Sequence, residues 1–131
     1  MRILVCGSRE WTNVEAIRKA LRLRCKKSKH TTILHGCAKG ADQIAEDIAQ
    51  EFGYGIMGFE ADWATHGKAA GPIRNSEMLS RGEPNVVLAF SYDLKESRGT
   101  ADTVRKAKKA GVSVFVYPDT DNWYKEWKRN K

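Results

Sequence analysis

Residues 31–52 read TTILHGCAKGADQIAEDIAQEF and contain a complete strand-to-helix connection. The apolar run 31–35 leads into a turn with two glycines, Gly36 and Gly40, and then into a helical pattern followed by Gly53. Apolar residues recur in that pattern at i, i+3, i+4, i+7, i+8 and i+11, the spacing of one helix face. Gly53 is a natural stop for such a helix. The stretch therefore predicts a strand, a glycine-containing turn and an amphipathic helix in succession.

The same alternation of strand and helix patterns continues along the whole chain. Strand-like runs occupy 2–6, 31–35, 55–59, 85–90 and 112–117. Helical patterns follow Asn13 and occupy 41–52, about 68–81, about 100–110 and part of the tail at 122–130. The runs 86–90 and 112–117 are almost entirely apolar, which is typical of strands covered on both faces. The pattern predicts an α/β fold, a Rossmann-like three-layer sandwich with a mostly parallel sheet of about five strands.

The composition indicates a globular protein without a membrane segment. The chain has 131 residues, 41% of them hydrophobic and 30% charged, with no low-complexity linker, so we expect a single domain over 1–131. No apolar run approaches the ~18 residues that span a bilayer. The first apolar run turns polar at Gly7, which favours a strand over a signal peptide and predicts a cytoplasmic location. The three cysteines form no CxxC pair and the three histidines form no ligand cluster, so neither a metal nor a cofactor is expected.

The net charge of +7 favours anionic partners such as nucleotides, phosphorylated metabolites or nucleic acid. The basic residues concentrate at 22–30, 105–109 and 125–131, each in or at the end of a predicted helix. Favourable interaction with helix C-termini is the preferred explanation of this placement, and a nucleic-acid surface is the alternative.

Polar residues and glycines collect in the loops that follow the predicted strands, at 7–11, 35–42, 60–75 and 91–103. In parallel sheets these loops share the carboxyl rim, where ligands bind. Glycine lets a ligand approach the backbone, and a helix N-terminus attracts phosphate. The loops fit neither G-x-G-x-x-G nor the Walker pattern. The sequence therefore predicts an anion site at this rim, without a generic dinucleotide or ATP motif.

The candidate ligand-binding residues come from these loops. Each has a structural interpretation as well. His35 fits a buried core histidine, Asp42 fits the first turn of a helix, and Trp63 and Trp11 either stack on a base or pack into the core. Arg74 has the planar guanidinium suited to bidentate phosphate recognition. Besides Arg74, the candidates are Gly7, Ser8, Arg9, His35, Gly36, Lys39, Gly40, Asp42, Asp62, Trp63, Asn75, Gly99 and Thr100.

Four motifs in order make the chain resemble a known family. GSR, HGCAKGAD, ADWATHGKAAGPIRN and GTADTVRKAKKAG, spanning Gly7 to Gly111, resemble the YspA-like (cpYpsA-related) branch of the SLOG superfamily. That superfamily includes relatives of the DprA Rossmann-like domain and of the LONELY GUY phosphoribohydrolases. The resemblance implies a Rossmann-like fold that binds a nucleotide or a nucleotide derivative. By the same resemblance, a homodimer or larger homo-oligomer is expected.

The LONELY GUY enzymes have a catalytic arginine and a P-G-G-x-G-T-x-x-E motif whose glutamate is catalytic, and the resemblance implies where such residues would lie in this chain. By this resemblance Arg74 takes the arginine's place and Gly99-Thr100 match the G-T, while Thr103 stands where the glutamate is expected. Asp102, one residue earlier, is the nearest carboxylate, and Asn75 replaces the lysine after the arginine. Because a helix turns about 100° per residue, this shift changes where a carboxylate points. Arg74 and Asp102 are the candidate catalytic residues, and two further carboxylates, those of Asp42 and Asp62, stay open.

Three functions are compatible with these residues. The first is a sensor or sequestering protein for a nucleotide-derived ligand. The second is an N-glycosidase acting on a nucleoside 5′-monophosphate or an NAD-like substrate, which release of free base would reveal. The third is DNA binding as in DprA relatives, which a steep salt dependence would reveal. The missing glutamate favours the first.

Overall fold

The computed structural model describes residues 1–25 and 30–117 and shows five parallel strands in one sheet, ordered β3-β2-β1-β4-β5. The strands are β1 (Arg2–Gly7), β2 (Thr32–His35), β3 (Gly55–Gly58), β4 (Val86–Phe90) and β5 (Ser113–Tyr117). The helices are α1 (Val14–Cys25), α2 (Ala41–Phe52), α3 (Trp63–His66), a 3-10 turn (Gly67–Ala69), α4 (Ala70–Ser80) and α5 (Arg98–Lys109). No helix in this described part is long and apolar enough to cross a membrane. The predicted tail helix lies outside the described residues.

The strand order places β1 at the centre of the sheet. β1 pairs in parallel with β2 on one side and with β4 on the other. The chain therefore builds one half of the sheet outward from β1 to β3, then crosses to β4 and builds the other half. This reversal creates a crevice between the loops that follow β1 and β4 at the carboxyl rim.

Two hydrophobic cores lie on opposite faces of the sheet. Alternate β1 side chains face opposite ways, so Ile3 and Val5 belong to one core while Leu4 and Cys6 belong to the other. Helices α1 and α2 cover the first core, and α4 and α5 cover the second through Met78, Val104 and Ala107. The predicted Rossmann-like three-layer architecture is confirmed.

The structure corrects three details of the predicted elements. The helix expected over about 68–81 is α-helical from Ala70 to Ser80, as α4, after a 3-10 turn. A short helix that was not predicted, α3, lies before Gly67, whose φ of +56° separates it from this turn. Helix α5 begins at Arg98, so Gly99 and Thr100 lie inside its first turn. β4 is buried along its whole length, as expected, but β5 is an edge strand with only Tyr117 buried.

Candidate functional site

A cleft of about 340 Å³ opens at the crevice between the loops after β1 and β4. The end of β1, the β2–α2 turn, helix α4 and the start of α5 form its walls. Its lining residues are Cys6, Gly7, Ser8, Arg9, Glu10, Gly36, Ala38, Asp42, Arg74, Asn75, Met78, Glu96, Ser97, Arg98, Gly99, Thr100 and Thr103. Its volume is at the lower end of the range for small-molecule sites.

The N-terminus of α5 faces this cleft without a side-chain cap. Ser97 occupies the N-cap position, but its hydroxyl donates to the hydroxyl of Thr100 over 2.7 Å instead of accepting from a backbone amide. The first amides of a helix have no intrahelical partner, and the helix dipole adds positive potential there. The first turn of α5 at Arg98, Gly99 and Thr100 lines the cleft and has the donors and the dipole that suit an anion.

The turn that leads into α2 is partly satisfied by internal hydrogen bonds. One carboxylate oxygen of Asp42, Oδ2, accepts from the backbone amides of Gly36 over 2.9 Å and Ala38 over 3.3 Å. The carbonyl of Ser8 accepts from the amide of Ala41, the first residue of α2. The amides of Gly36, Cys37, Ala38 and Ala41 in the HGCAKGAD turn thus have internal partners, while Gly36, Ala38 and Asp42 of the same turn line the cleft.

Burial dominates the electrostatics of Asp42. Its side chain is almost inaccessible, and this burial raises the pKa of its carboxyl above the ordinary value. The hydrogen bonds from Ala38 and Gly36 and the guanidinium of Arg74 act in the opposite direction without cancelling that effect. Asp42 is therefore chiefly an internal acceptor for the turn, with one edge on the cleft.

Arg74 projects from α4 and is held by two partners. Its Nη1 donates to the carbonyl of Gly36, and its Nε donates to Asn75 Oδ1 over 2.8 Å. A Cβ on Gly36 would lie 2.6 Å from Arg74 Nη1, so only glycine leaves room for this approach. Arg74 is half-buried and lines the cleft with a fixed guanidinium plane.

Asn75 connects Arg74 to Asp102 on α5. Its Nδ2 donates to Asp102 Oδ2 over 3.1 Å and to the carbonyl of Gly99 over 3.3 Å. Burial opposes ionisation of Asp102, but hydrogen bonds from Lys106 and Asn75 and the neighbouring cations outweigh it and lower the pKa of that carboxyl. Asp102 does not line the cleft; it faces Lys106 and Arg105 instead.

Several predicted site residues lie away from the cleft. His35 is buried, with Nε2 3.0 Å from Glu46 Oε1, so it is a core histidine. Asp62 accepts from the amide of Thr65 over 3.1 Å and caps α3. Trp11 is buried and stacked on Tyr92, so it does not face a ligand. The remaining candidates that do not line the cleft are Lys39, Gly40 and Trp63.

The cleft also contains residues that the sequence did not mark as ligand contacts. Ser97 stands immediately before α5, where an N-cap signal was readable, and Thr103 lies one helical turn after Gly99. Cys6 is the last residue of β1 before Gly7, and burial raises the pKa of its thiol well above the ordinary range. Within the described ranges 1–25 and 30–117, no group of His, Cys, Asp and Glu side chains is arranged to hold a metal ion.

A parallel sheet with a cleft at the switch point between β1 and β4 places the chain among the Rossmann-like α/β proteins. Within that class, the chain belongs to the YspA, cpYpsA-related SLOG family, whose model matches residues 1–66. The matched region includes the HGCAKGAD turn, while Arg74 and the start of α5 lie beyond it. The family predicted from the sequence motifs is confirmed.

A relative and a solved structure extend this comparison. The Gene 61 protein of Mycobacterium phage D29 is 38% identical over 124 residues, covering 90% of this chain and 97% of that protein. The X-ray structure of DNA processing protein A (DprA) from Streptococcus pneumoniae matches with a TM-score of 0.66 at 18% identity. The match covers 88% of this chain but 49% of the DprA chain, so the chain spans about half the length of that protein. This similarity supports the fold.

Proposed function

We propose that the chain binds a nucleotide or nucleotide-derived small molecule, with its phosphate against the N-terminus of α5. The single observation that carries the proposal is the uncapped first turn of α5, which lines a cleft of about 340 Å³. Membership of the SLOG family supports a nucleotide-related role. The turn before α2 is partly satisfied internally, because Asp42 accepts from the amides of Gly36 and Ala38 and the Ser8 carbonyl accepts from the amide of Ala41, and this favours α5 as the phosphate position.

Arg74 supplies the second element of the proposed site. Its Nε and Nη1 are engaged by Asn75 and Gly36, which orient the guanidinium and leave its other N–H donors for the ligand. Arg9 and Arg98 add two further cations to the lining. Charge-assisted hydrogen bonds from such groups are about twice as strong as neutral ones, and fixing the donor in advance lowers the entropic cost of binding.

Binding without cleavage fits the arrangement of carboxylates better than hydrolysis does. Glycosidic cleavage requires a carboxylate placed against the reacting atoms. Thr103 lines the cleft where the related hydrolases have glutamate, and Asp102 faces Lys106 and Arg105. Of the carboxylates that do line the cleft, Asp42 is engaged by two backbone amides, and those of Glu10 and Glu96 lie outside the family's catalytic motif. We therefore propose a sensing or sequestering role.

The proposal is tested by calorimetric titration of the purified chain with AMP, GMP, CMP, UMP, NAD and ADP-ribose. Each ligand is recovered afterwards and analysed for free base. We expect Arg74→Ala to weaken binding of the preferred ligand about 10- to 100-fold, because it removes charge-assisted hydrogen bonds. Arg81→Ala is the matched control, since Arg81 ends the same helix, is highly exposed and lies outside the cleft. The Arg81→Ala variant should bind the preferred ligand with the affinity of the wild type.

Two other outcomes distinguish the alternative functions. Release of free base, lost in Arg74→Ala, would establish the N-glycosidase and overturn the binding-only role. Failure of every nucleotide combined with tight, steeply salt-dependent binding of single-stranded DNA would establish the third alternative. The net charge of +7 and the likeness to a DNA processing protein make that oligonucleotide the necessary comparison.

A further inference from the structure

A second concavity lies beside the cleft on the same rim. It is a groove of about 240 Å³ between the β2–α2 turn and the segment that follows β3. We call it the Trp63 groove; it is lined by Arg9, Gly36, Cys37, Ala38, Glu60, Ala61, Trp63 and Arg74. Four of these residues, Arg9, Gly36, Ala38 and Arg74, also line the cleft, so the two concavities are adjacent and share a wall.

The groove offers an aromatic surface that the cleft lacks. Trp63 is 53% exposed, although tryptophan is highly buried on average. The ring is positioned from two directions: the Asp62 cap fixes the start of α3, and the Trp63 Cη2 atom lies against Gly71 in α4. Within the described part of the chain, no aromatic ring stacks on Trp63, whereas Trp11 is stacked on Tyr92. An oriented, half-exposed indole in a concave wall is suited to a planar ligand.

The two concavities are chemically complementary to the two ends of a nucleotide. The cleft presents helix amides, the hydroxyls of Ser97 and Thr100, and cations, which suit a phosphate. The groove presents an indole and the carboxylate of Glu60, which suit an aromatic base with N–H donors. Arg74 stands at the junction and contacts both.

We infer that the Trp63 groove is the base subsite: the ligand's phosphate lies in the cleft at α5, its sugar passes Arg74, and its base stacks on Trp63. This inference rests on the proposed nucleotide-binding function and deepens it by naming where the base lies. It also defines the ligand class as a nucleotide whose base is free to stack on Trp63. A sugar phosphate, which has no base, would occupy the cleft and leave the groove empty.

The test compares 5′-monophosphates of the four ribonucleosides with ribose 5-phosphate, which has the phosphate and sugar but no base. Affinities are measured for the wild type, Trp63→Leu and Trp63→Phe. Ile73→Ala is the control, since Ile73 is an exposed apolar residue on α4 outside both concavities. Base stacking predicts that Trp63→Leu binds the preferred nucleotide about 5- to 100-fold more weakly. Trp63→Phe should lie between Trp63→Leu and the wild type, and ribose 5-phosphate affinity should change less than about twofold in every variant.

The failure of this inference is distinguishable from failure of the proposed function. If the wild type binds nucleotides and Trp63→Leu leaves their affinity unchanged, the base subsite is overturned while nucleotide binding stands. An equal loss for nucleotide and ribose 5-phosphate would also overturn it, because the effect would not depend on the base. A change of oligomeric state without a change in nucleotide affinity would assign Trp63 to a contact between copies instead. If the wild type binds neither ligand, both proposals fail.

Discussion

The side-chain amide of Asn75 donates a hydrogen bond to the carboxylate of Asp102 over 3.1 Å. Through its carbonyl oxygen, the same amide accepts from Arg74 Nε over 2.8 Å. Asn75 is almost fully buried, so this connection between α4 and α5 is protected from water. Asp102, which the family resemblance made a catalytic candidate, is therefore connected to the cleft through Asn75 and Arg74.

Replacing Asn75 with Ala should weaken phosphate binding by releasing Arg74 while leaving the guanidinium itself and the first turn of α5 in place. The variant releases Arg74 Nε and leaves the guanidinium free to rotate, and we expect about tenfold weaker binding of the preferred 5′-monophosphate. Titration calorimetry measures this loss, and circular dichroism confirms the fold. Arg105→Met is the control, because it removes an exposed partner of Asp102 and leaves the Asn75 contact in place. Unchanged affinity in Asn75→Ala would show that Arg74 is oriented by other contacts.

The Asp102 carboxylate should stabilise the fold only in its ionised form. Since its folded pKa is lowered, its stabilising contribution is present above the unfolded pKa of about 4 and is lost as the pH falls through the folded pKa. We expect Asp102→Asn to reduce the free energy of unfolding by about 1 to 2 kcal/mol at pH 7, with the deficit shrinking towards pH 2. Urea denaturation at both pH values measures the difference. A deficit that is independent of pH would contradict the role of its charge.

We expect the contribution of Asp42 to the free energy of unfolding to depend on pH in the opposite way. Its folded pKa is raised, so the folded state binds the proton more tightly and its ionisation costs stability as the pH rises through that pKa. Asp42→Ala removes the acceptor for two backbone amides and should cost about 2 kcal/mol. Asp42→Asn keeps an acceptor oxygen without a buried charge, so its stability relative to the wild type should improve with rising pH. Equal destabilisation in both variants at neutral pH would show that the charge itself is required.

Two glycines with nearly the same backbone angle should respond differently to alanine. Gly40 has a φ of +76°, and a Cβ there would overlap the carbonyl groups of Ser8 and Arg9. Gly53 has a φ of +75°, and a Cβ there would have no other atom within 4 Å. We expect Gly53→Ala to cost about 1 kcal/mol from strain alone, and Gly40→Ala to cost at least about 3 kcal/mol. Thermal and urea denaturation measure both; similar costs would mean that the β1–α1 loop shifts easily.

The fold was predictable because local and tertiary preferences agree along most of the chain. The 41–52 periodicity and the apolar run at 86–90 correspond to α2 and to the fully buried β4. The position of β5 at the edge was not readable, because its apolar run resembles that of a central strand. The short helix α3 before Gly67 was also missed, since four residues are too few to show a helical period in the hydrophobic pattern.

The site was only partly predictable, because a residue type at the rim does not reveal which hydrogen bonds it already makes. Arg74, Gly99 and Thr100 line the cleft as the motif positions indicated. The HGCAKGAD turn was predicted as a phosphate wall and lines the cleft through Gly36, Ala38 and Asp42, but the sequence did not show that the amides of Gly36 and Ala38 donate to Asp42. His35 likewise meets Glu46, eleven residues along the chain and one turn into α2, a contact that spacing alone did not identify.

The most direct test of the phosphate position compares each nucleoside 5′-monophosphate with its own nucleoside by titration calorimetry of the wild-type chain at one salt concentration. If the phosphate binds the open N-terminus of α5 beside Arg74, the preferred monophosphate should bind at least about tenfold more tightly than its nucleoside. Equal affinity for nucleotide and nucleoside, or binding of neither, would contradict the central claim that this cleft is a nucleotide-phosphate site.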